Sequence, residues 1–292
     1  MQARDIWIAP PTHNSTPLPS SGRAGRNLPA AITSALVLVG ALGATLFFSR
    51  PIFLVLVTAL VLAAIWEVAG ALARNDIIVS LPPLYVGAIA MMATGATIGA
   101  FWVMASLYFT FVAAVLWRLG STSLPSRPVY DIMATSFLAL YVPFSASFLA
   151  MISAHSEQPW TLVFFVVIVA CNDLGGWAAG VLFGKHPMAP KLSPKKSWEG
   201  FVGSVFLTCG AAVGATFVIG IPWWWCFVLG LGAAIIGTLG DLTESLVKRQ
   251  VGLKDMSNMV PGHGGLMDRF DSMLFCAPAF FFFYAIALGW AL

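Results

Sequence analysis

Long apolar runs separated by short polar breaks dominate the chain. They fall at about 29–48, 51–73, 81–98, 100–117, 130–153, 159–182, 200–220, 222–243 and 272–291. Each approaches the roughly 20 residues that a helix needs to cross hydrocarbon. None alternates polar and apolar positions as a barrel strand would, so helices are the expected spanning element. The pattern predicts an all-α polytopic integral membrane protein with about nine transmembrane helices. The shortest connections are at Gly99 and at Gly220–Pro222. Residues 1–28 are polar and rich in Pro, Ser and Arg, with too little apolar content to fold, and a disordered N-terminal tail is expected there. The first apolar run is too long for the core of a secretory signal and is read as a span. The expected organisation is thus a tail (1–28), N-terminal transmembrane helices (29–157) and a C-terminal transmembrane region that carries the chemistry (158–292).

Composition supports lipid as the main solvent. The 292 residues are 59% hydrophobic and 9% charged, with mean hydropathy +0.87. A soluble domain is about 25% charged. The net charge of +3 says little, but the placement of the charges says more. With the N-terminus in the cytoplasm, fourteen of the fifteen basic residues fall on the cytoplasmic side and Arg50 alone falls outside. The four cysteines sit in apolar runs with no CxxC or Cys/His pattern, and are read as reduced packing residues.

The charged residues are clustered. Residues 241–272 hold five of the twelve carboxylates: Asp241, Glu244, Asp255, Asp268 and Asp271. Lys248, Arg249, Lys254, His263 and Arg269 accompany them. Ionisable groups so close to hydrocarbon are kept mainly where they pair, bind ions or handle substrate. Asp241, Ser245 and Lys248 share one helix face at i, i+4 and i+7. Glu244 and Lys248 also suit a simple i, i+4 ion pair. Gly262, Gly264 and Gly265 around His263 force a loop and let backbone approach a ligand closely. Asp268 and Asp271 share a face at i, i+3 near a helix start, where the dipole favours one carboxylate.

A second polar connection, about 183–199, falls on the same side of the membrane. Asn172 and Asp173 lie about three turns up the helix before it, and an acid there must face protein or water. Gly176, Gly180 and Gly184 form a small-residue stripe for close helix contact. GVLFGKH at 180–186 is not a P-loop, because it lacks the spacing and the Ser or Thr after Lys. Ser193 and Pro194 suit an N-cap and first helical position. Lys195 and Lys196 beside a helix start suit either a polyphosphate or lipid headgroups. Glu67, in mid-span, is either a paired polar group or a site residue.

Oxygen donors without Cys point to a hard cation, Mg²⁺ before Zn²⁺. Carboxylates, such a metal and clustered cations together describe phosphoryl-group chemistry. SLVKR at 245–249, KD at 254–255 and PGHGGLMDRFD at 261–271 resemble the signature of the phosphatidate cytidylyltransferase (CDP-diacylglycerol synthase) family. NDLGG at 172–176, SPKKSWEG at 193–200 and GDLTES at 240–245 resemble its other blocks. The resemblance covers about 165–275. The N-terminal half shares hydropathy and the acid on the second helix, Glu67.

The resemblance implies CTP and phosphatidate as substrates, CDP-diacylglycerol and pyrophosphate as products, and a homodimer. It implies Mg²⁺ and leaves open a second, monovalent cation. Asp241 and Asp268 resemble the metal-binding carboxylates. Lys195, Lys196, Lys248 and Arg249 resemble phosphate-binding groups. Asn172, Asp173, Ser193, Ser197, Ser245, His263, Gly264, Gly265, Arg269 and Asp271 belong to the matching blocks and are expected to line the substrate site. The expected location is a bacterial inner membrane with the active site facing the cytoplasm. Nucleic acid is not an expected partner. The alternatives are a secondary transporter using intramembrane acids such as Glu67 and Asp173, and a related lipid phosphotransferase with another lipid or nucleotide.

Overall fold

The computed structural model describes residues 28–120, 127–156, 159–253, 255–257, 259 and 264–290. In chain order the helices among them are α1 (Leu28–Phe48), α2 (Arg50–Ala73), α3 (Leu81–Thr97), α4 (Ala100–Leu119) and α5 (Pro128–His155), then α6 (Trp160–Phe183), α7 (Trp198–Ile219), α8 (Trp223–Gln250) and α9 (Met267–Leu288). Seven of these described helices, α2 and α4–α9, are long and apolar enough to cross a membrane; Leu36–Phe48 within α1 and the whole of α3 are shorter apolar helices. Apart from Leu28, the N-terminal tail lies outside the described residues.

The chain divides into two compact units, Met1–Ala150 with Gln250–Arg269, and Met151–Arg249 with Phe270–Leu292. In the first unit Ile65, Leu81, Leu84, Met91 and Leu138 are fully buried. The tight break between α3 and α4 is real. Gly99 sits there at φ +108, which a side chain would resist. Pro143 lies inside α5 and has no N–H to give, and the helix widens there into a π turn over Leu140–Phe144. The Ser145 hydroxyl donates to the Leu140 carbonyl at 3.2 Å. Arg118 in the last turn of α4 pairs with Asp131 in the first turn of α5. Asp131 is fully buried and also accepts the Ile78 N–H at 2.7 Å, so the carboxylate keeps polar partners out of water.

In the second unit α6 and α7 approach almost backbone to backbone. A Cβ on Gly175 would lie 2.5 Å from the Gly203 carbonyl oxygen, and Gly176 and Gly200 continue the same contact. The small-residue stripe thus does what its spacing suggests, with Gly175 added to it. Phe280 of α9 meets Phe165 of α6 edge to face at 4.9 Å, and the Tyr284 hydroxyl donates to the Thr161 carbonyl at 3.2 Å. All four cysteines are free; Cys209, Cys226 and Cys276 are buried and Cys171 is half-buried.

Between α6 and α7 runs a short antiparallel hairpin, β1 (Pro187–Ala189) and β2 (Ser193–Ser197). This corrects the expectation that Ser193 caps a helix opened by Pro194. Residues 193–197 all stay extended because they pair with the preceding strand, Ala189 opposite Ser193 and Pro187 opposite Ser197. The cap is Ser197, whose Oγ accepts the Gly200 N–H at 3.1 Å, and α7 starts at Trp198. Losing such a cap costs about 1 kcal/mol. Ser197→Ala is therefore expected to lower the thermal unfolding midpoint in detergent, and Ser193→Ala to leave it unchanged.

Candidate functional site

The hairpin is held at its base and at its turn. Glu199 Oε1 meets His186 Nδ1 at 2.6 Å, while its Oε2 accepts the N–H groups of Lys185 and His186 at 3.1 and 3.2 Å. Trp198 N–H donates to the His186 carbonyl at 3.0 Å. At the turn, Arg249 Nε at the end of α8 donates to the Leu192 carbonyl at 3.2 Å. These contacts fix β2, and with it Lys195 and Lys196, against the polar end of α8.

A cleft of about 300 Å³ opens between this hairpin and helices α6, α7 and α8. Seven of the sequence-predicted residues line it: Asn172, Asp173, Ser193, Lys195, Lys196, Ser197 and Asp241. Asp173 is exposed, as an acid in mid-span must be when it faces a polar opening. Its neighbour Asn172 is buried, with Nδ2 3.3 Å from Asp173 Oδ1, and its backbone carbonyl accepts the Ser204 hydroxyl at 2.6 Å. The Asn172 Oδ1 atom is buried with no hydrogen-bond partner.

Lys196 and Asp241 form the central contact. Lys196 Nζ lies 2.5 Å from Asp241 Oδ2 and 3.5 Å from the Thr238 carbonyl oxygen, with both charged side chains partly exposed to the cleft. Lys195 is exposed beside them. Further along α8, Lys248 Nζ is 2.5 Å from the buried Glu244 Oε2, so the simple i, i+4 ion pair is present. Asp271 is also buried. It accepts the Ser272 N–H at 2.7 Å, hydrogen-bonds Glu244 and lies within electrostatic reach of Asp241 and Asp173. Ser245 is buried on α8. Neither Ser245, Lys248, Arg249 nor Asp271 lines the cleft itself.

The remaining predicted residues belong to the first unit. Asp268 Oδ2 accepts the N–H groups of Gly265 and Met256 at 2.8 and 3.2 Å. Gly264 has φ +88, and Arg269 N–H donates to the Leu266 carbonyl at 3.0 Å. His263 lies outside the described residues.

Trp177, Met188, Phe201, Ser204 and Thr238 also line the cleft, and none carries a sequence-predicted role. Helical spacing could have found two of them. Trp177 is four residues after Asp173, and Thr238 is three before Asp241, each on the same helix face.

Among the described residues no three His, Cys, Asp or Glu side chains group as a protein-only metal cage. Mg²⁺ does not require one, because it takes one or two carboxylates and completes its shell with water and phosphate oxygens. Asp241, a carboxylate on the wall of an open cleft, and the lysines beside it fit that mode.

The sequence matches the model of the cytidylyltransferase family over residues 29–287. It is similar to the phosphatidate cytidylyltransferase of Mycobacterium tuberculosis (strain ATCC 25618 / H37Rv), 39% identical over 278 residues that cover 90% of this chain and 84% of that one. The phosphatidate cytidylyltransferase of Mycobacterium leprae is 40% identical over 272 residues, 86% of each chain. That of Aquifex aeolicus is 32% identical over 243 residues, 81% of this chain and 83% of that one.

Proposed function

The chain belongs to the cytidylyltransferase family, and we propose that it transfers the cytidylyl group of CTP to phosphatidate, giving CDP-diacylglycerol and pyrophosphate. The observation that carries the reading to a place in the chain is the cleft, where paired lysines and carboxylates line one opening into a helical membrane unit. In the reaction a phosphatidate phosphate oxygen attacks the α-phosphorus of CTP. A new P–O bond forms there, the bond to the β-phosphate bridge breaks, and pyrophosphate leaves with the electron pair. The attacking phosphate is already an anion near neutral pH, so the step needs no strong general base.

Asp241 and Asp268 are the carboxylates proposed to hold Mg²⁺, with a second, monovalent cation as an addition the resemblance leaves open. When bound, the ion would offset charge on the phosphate oxygens. Lys195 and Lys196 are the proposed phosphate-binding groups of the cleft. Lys248 and Arg249 are engaged with Glu244 and the hairpin turn, so their support for phosphate binding is long-range charge together with placement of the hairpin. Ligand binding must exchange the Lys196–Asp241 pair for two new ones, lysine with phosphate and carboxylate with metal.

The reading also places all nine apolar segments across a bacterial inner membrane, with the N-terminus and the cleft on the cytoplasmic side and a homodimer as the working state. The charge asymmetry of the connections supports that orientation.

The test is purified protein in lipid–detergent micelles with phosphatidate, labelled CTP and Mg²⁺. CDP-diacylglycerol and pyrophosphate are expected in equal amounts, with no product when EDTA is added. Turnover of a different nucleotide or lipid in preference to these, or none at all, would overturn the assignment.

A further inference from the structure

Glu67 is the one carboxylate of α2, and it is 2% exposed in a helix whose only other charged residue is Arg50 at its first position. Such a group is costly unless its lone pairs are filled. Here they are filled from far along the chain. Its Oε2 accepts the Met267 N–H at 2.7 Å, and its Oε1 accepts the Leu266 N–H at 3.0 Å and the Ser257 hydroxyl. Met267 opens α9, so two of these donors belong to a helix start, where N–H groups lack partners within the helix and a negative charge is favoured. Glu67 therefore caps α9 from another helix.

The same short loop is gripped from its other side by Asp268, whose Oδ2 takes the N–H groups of Gly265 and Met256. Gly265 lies between the two carboxylates. A Cβ there would overlap Glu67 Oε1, and would stand 2.9 Å from Asp268 Oδ2 and 3.0 Å from Met256 Cβ. Just past the end of α2, Asn75 Nδ2 donates to the carbonyl of Gln250, the last residue of α8, at 3.0 Å. The Asp268 carboxylate is thus located by backbone that Glu67 holds.

We infer that Glu67 is a positioning residue, which sets where the Asp268 carboxylate sits and thereby how well the protein binds a divalent cation with nucleotide. The inference rests on the proposed role of Asp268 as a metal ligand. It distinguishes Glu67 from a cap that serves stability alone, because a pure cap has no reason to change cation affinity in molecules that remain folded.

Two variants test it. Glu67→Gln keeps the volume but turns one acceptor into a donor, so in either amide orientation at least one of the Met267, Leu266 and Ser257 donors loses its acceptor. Gly265→Ala disturbs the same cradle while leaving both acids in place. Each is measured as full-length protein in lipid–detergent micelles, on the monomodal folded fraction from gel filtration. One readout is the Mg²⁺ concentration for half-maximal cytidylyl transfer. The other is Mn²⁺ affinity with CTP present and phosphatidate absent, by electron paramagnetic resonance. Both variants are expected to weaken both cation affinities at least fivefold while the KM for CTP at saturating Mg²⁺ stays within twofold. Wild-type cation affinities in both variants, whatever happens to yield or thermal stability, would reduce Glu67 to a structural cap and overturn the inference. Wild-type protein that makes no CDP-diacylglycerol would sink the proposed reaction, while the Mn²⁺ measurement would still decide the role of Glu67.

Discussion

Asp241→Asn is expected to abolish Mg²⁺-dependent cytidylyl transfer, by on the order of 10³-fold, and at the same time to make the protein bind CTP more tightly when no metal is present. The two effects have one cause. Asp241 holds Lys196 at 2.5 Å across the cleft. A polyphosphate arriving without metal must pull Lys196 from that partner and leave a carboxylate facing its own negative charge. A metal arriving alone must take the carboxylate and leave the ammonium facing a cation. Together they relieve both conflicts, so metal and nucleotide should bind cooperatively. Asparagine removes the competing charge and retains the size of the side chain. A partly exposed ion pair is worth about 1 kcal/mol or less, and repulsion between Asp241 and phosphate adds to it. The expected gain in EDTA is thus roughly threefold to tenfold in CTP affinity. Equilibrium dialysis of labelled CTP measures it, and Lys196→Met in the same background should erase it. Unchanged or weaker metal-free binding by Asp241→Asn would show that the pair does not compete with nucleotide.

The helical architecture was legible because lipid imposes a simple rule on sequence. A span must be long, apolar and internally hydrogen-bonded, and even the short breaks at Gly99 and Gly220 appear as residues with positive φ. The cleft was legible where site residues are close in sequence or one helical turn apart, as with Asn172 and Asp173, or Lys195 and Lys196. Three features were not readable for specific reasons. The hairpin was hidden because Ser193–Pro194 satisfies a helix-start pattern, and what overrides it is pairing with residues 187–189, which a three-residue strand does not announce in sequence. The pairing of Lys196 with Asp241 joins residues on different elements, and no periodicity connects them. Glu67 could not be assigned because its partners at 257, 266 and 267 lie some 190 to 200 positions away. An isolated acid in an apolar run announces that a partner exists, without saying which one.

Gly175→Val is expected to have the second large effect, and to act through packing. Gly175 and Gly203 let α6 and α7 touch through their backbones. A Cβ at 175 would meet the Gly203 carbonyl oxygen at 2.5 Å, its carbon at 2.9 Å and the Ser204 Cα at 3.0 Å. Those neighbours are backbone atoms of a helix, so they cannot swing aside as a flexible side chain would. Relief requires the two helices to separate over the length of the contact. Separation would break the Ser204–Asn172 hydrogen bond and widen the cleft, since residues of both helices form its walls. Overpacking of this kind costs about 1–3 kcal/mol where a core can adjust, and more where it cannot. The valine protein should therefore show a loss of folded yield or a clear drop in unfolding midpoint, and a fall in CTP affinity in whatever fraction survives. Gly210→Val is the control. It lies further along α7 with no atom within 4 Å of a built Cβ, and should behave as wild type. If Gly175→Val matched that control in yield, melting and CTP binding, close approach of α6 and α7 would not be what shapes the cleft.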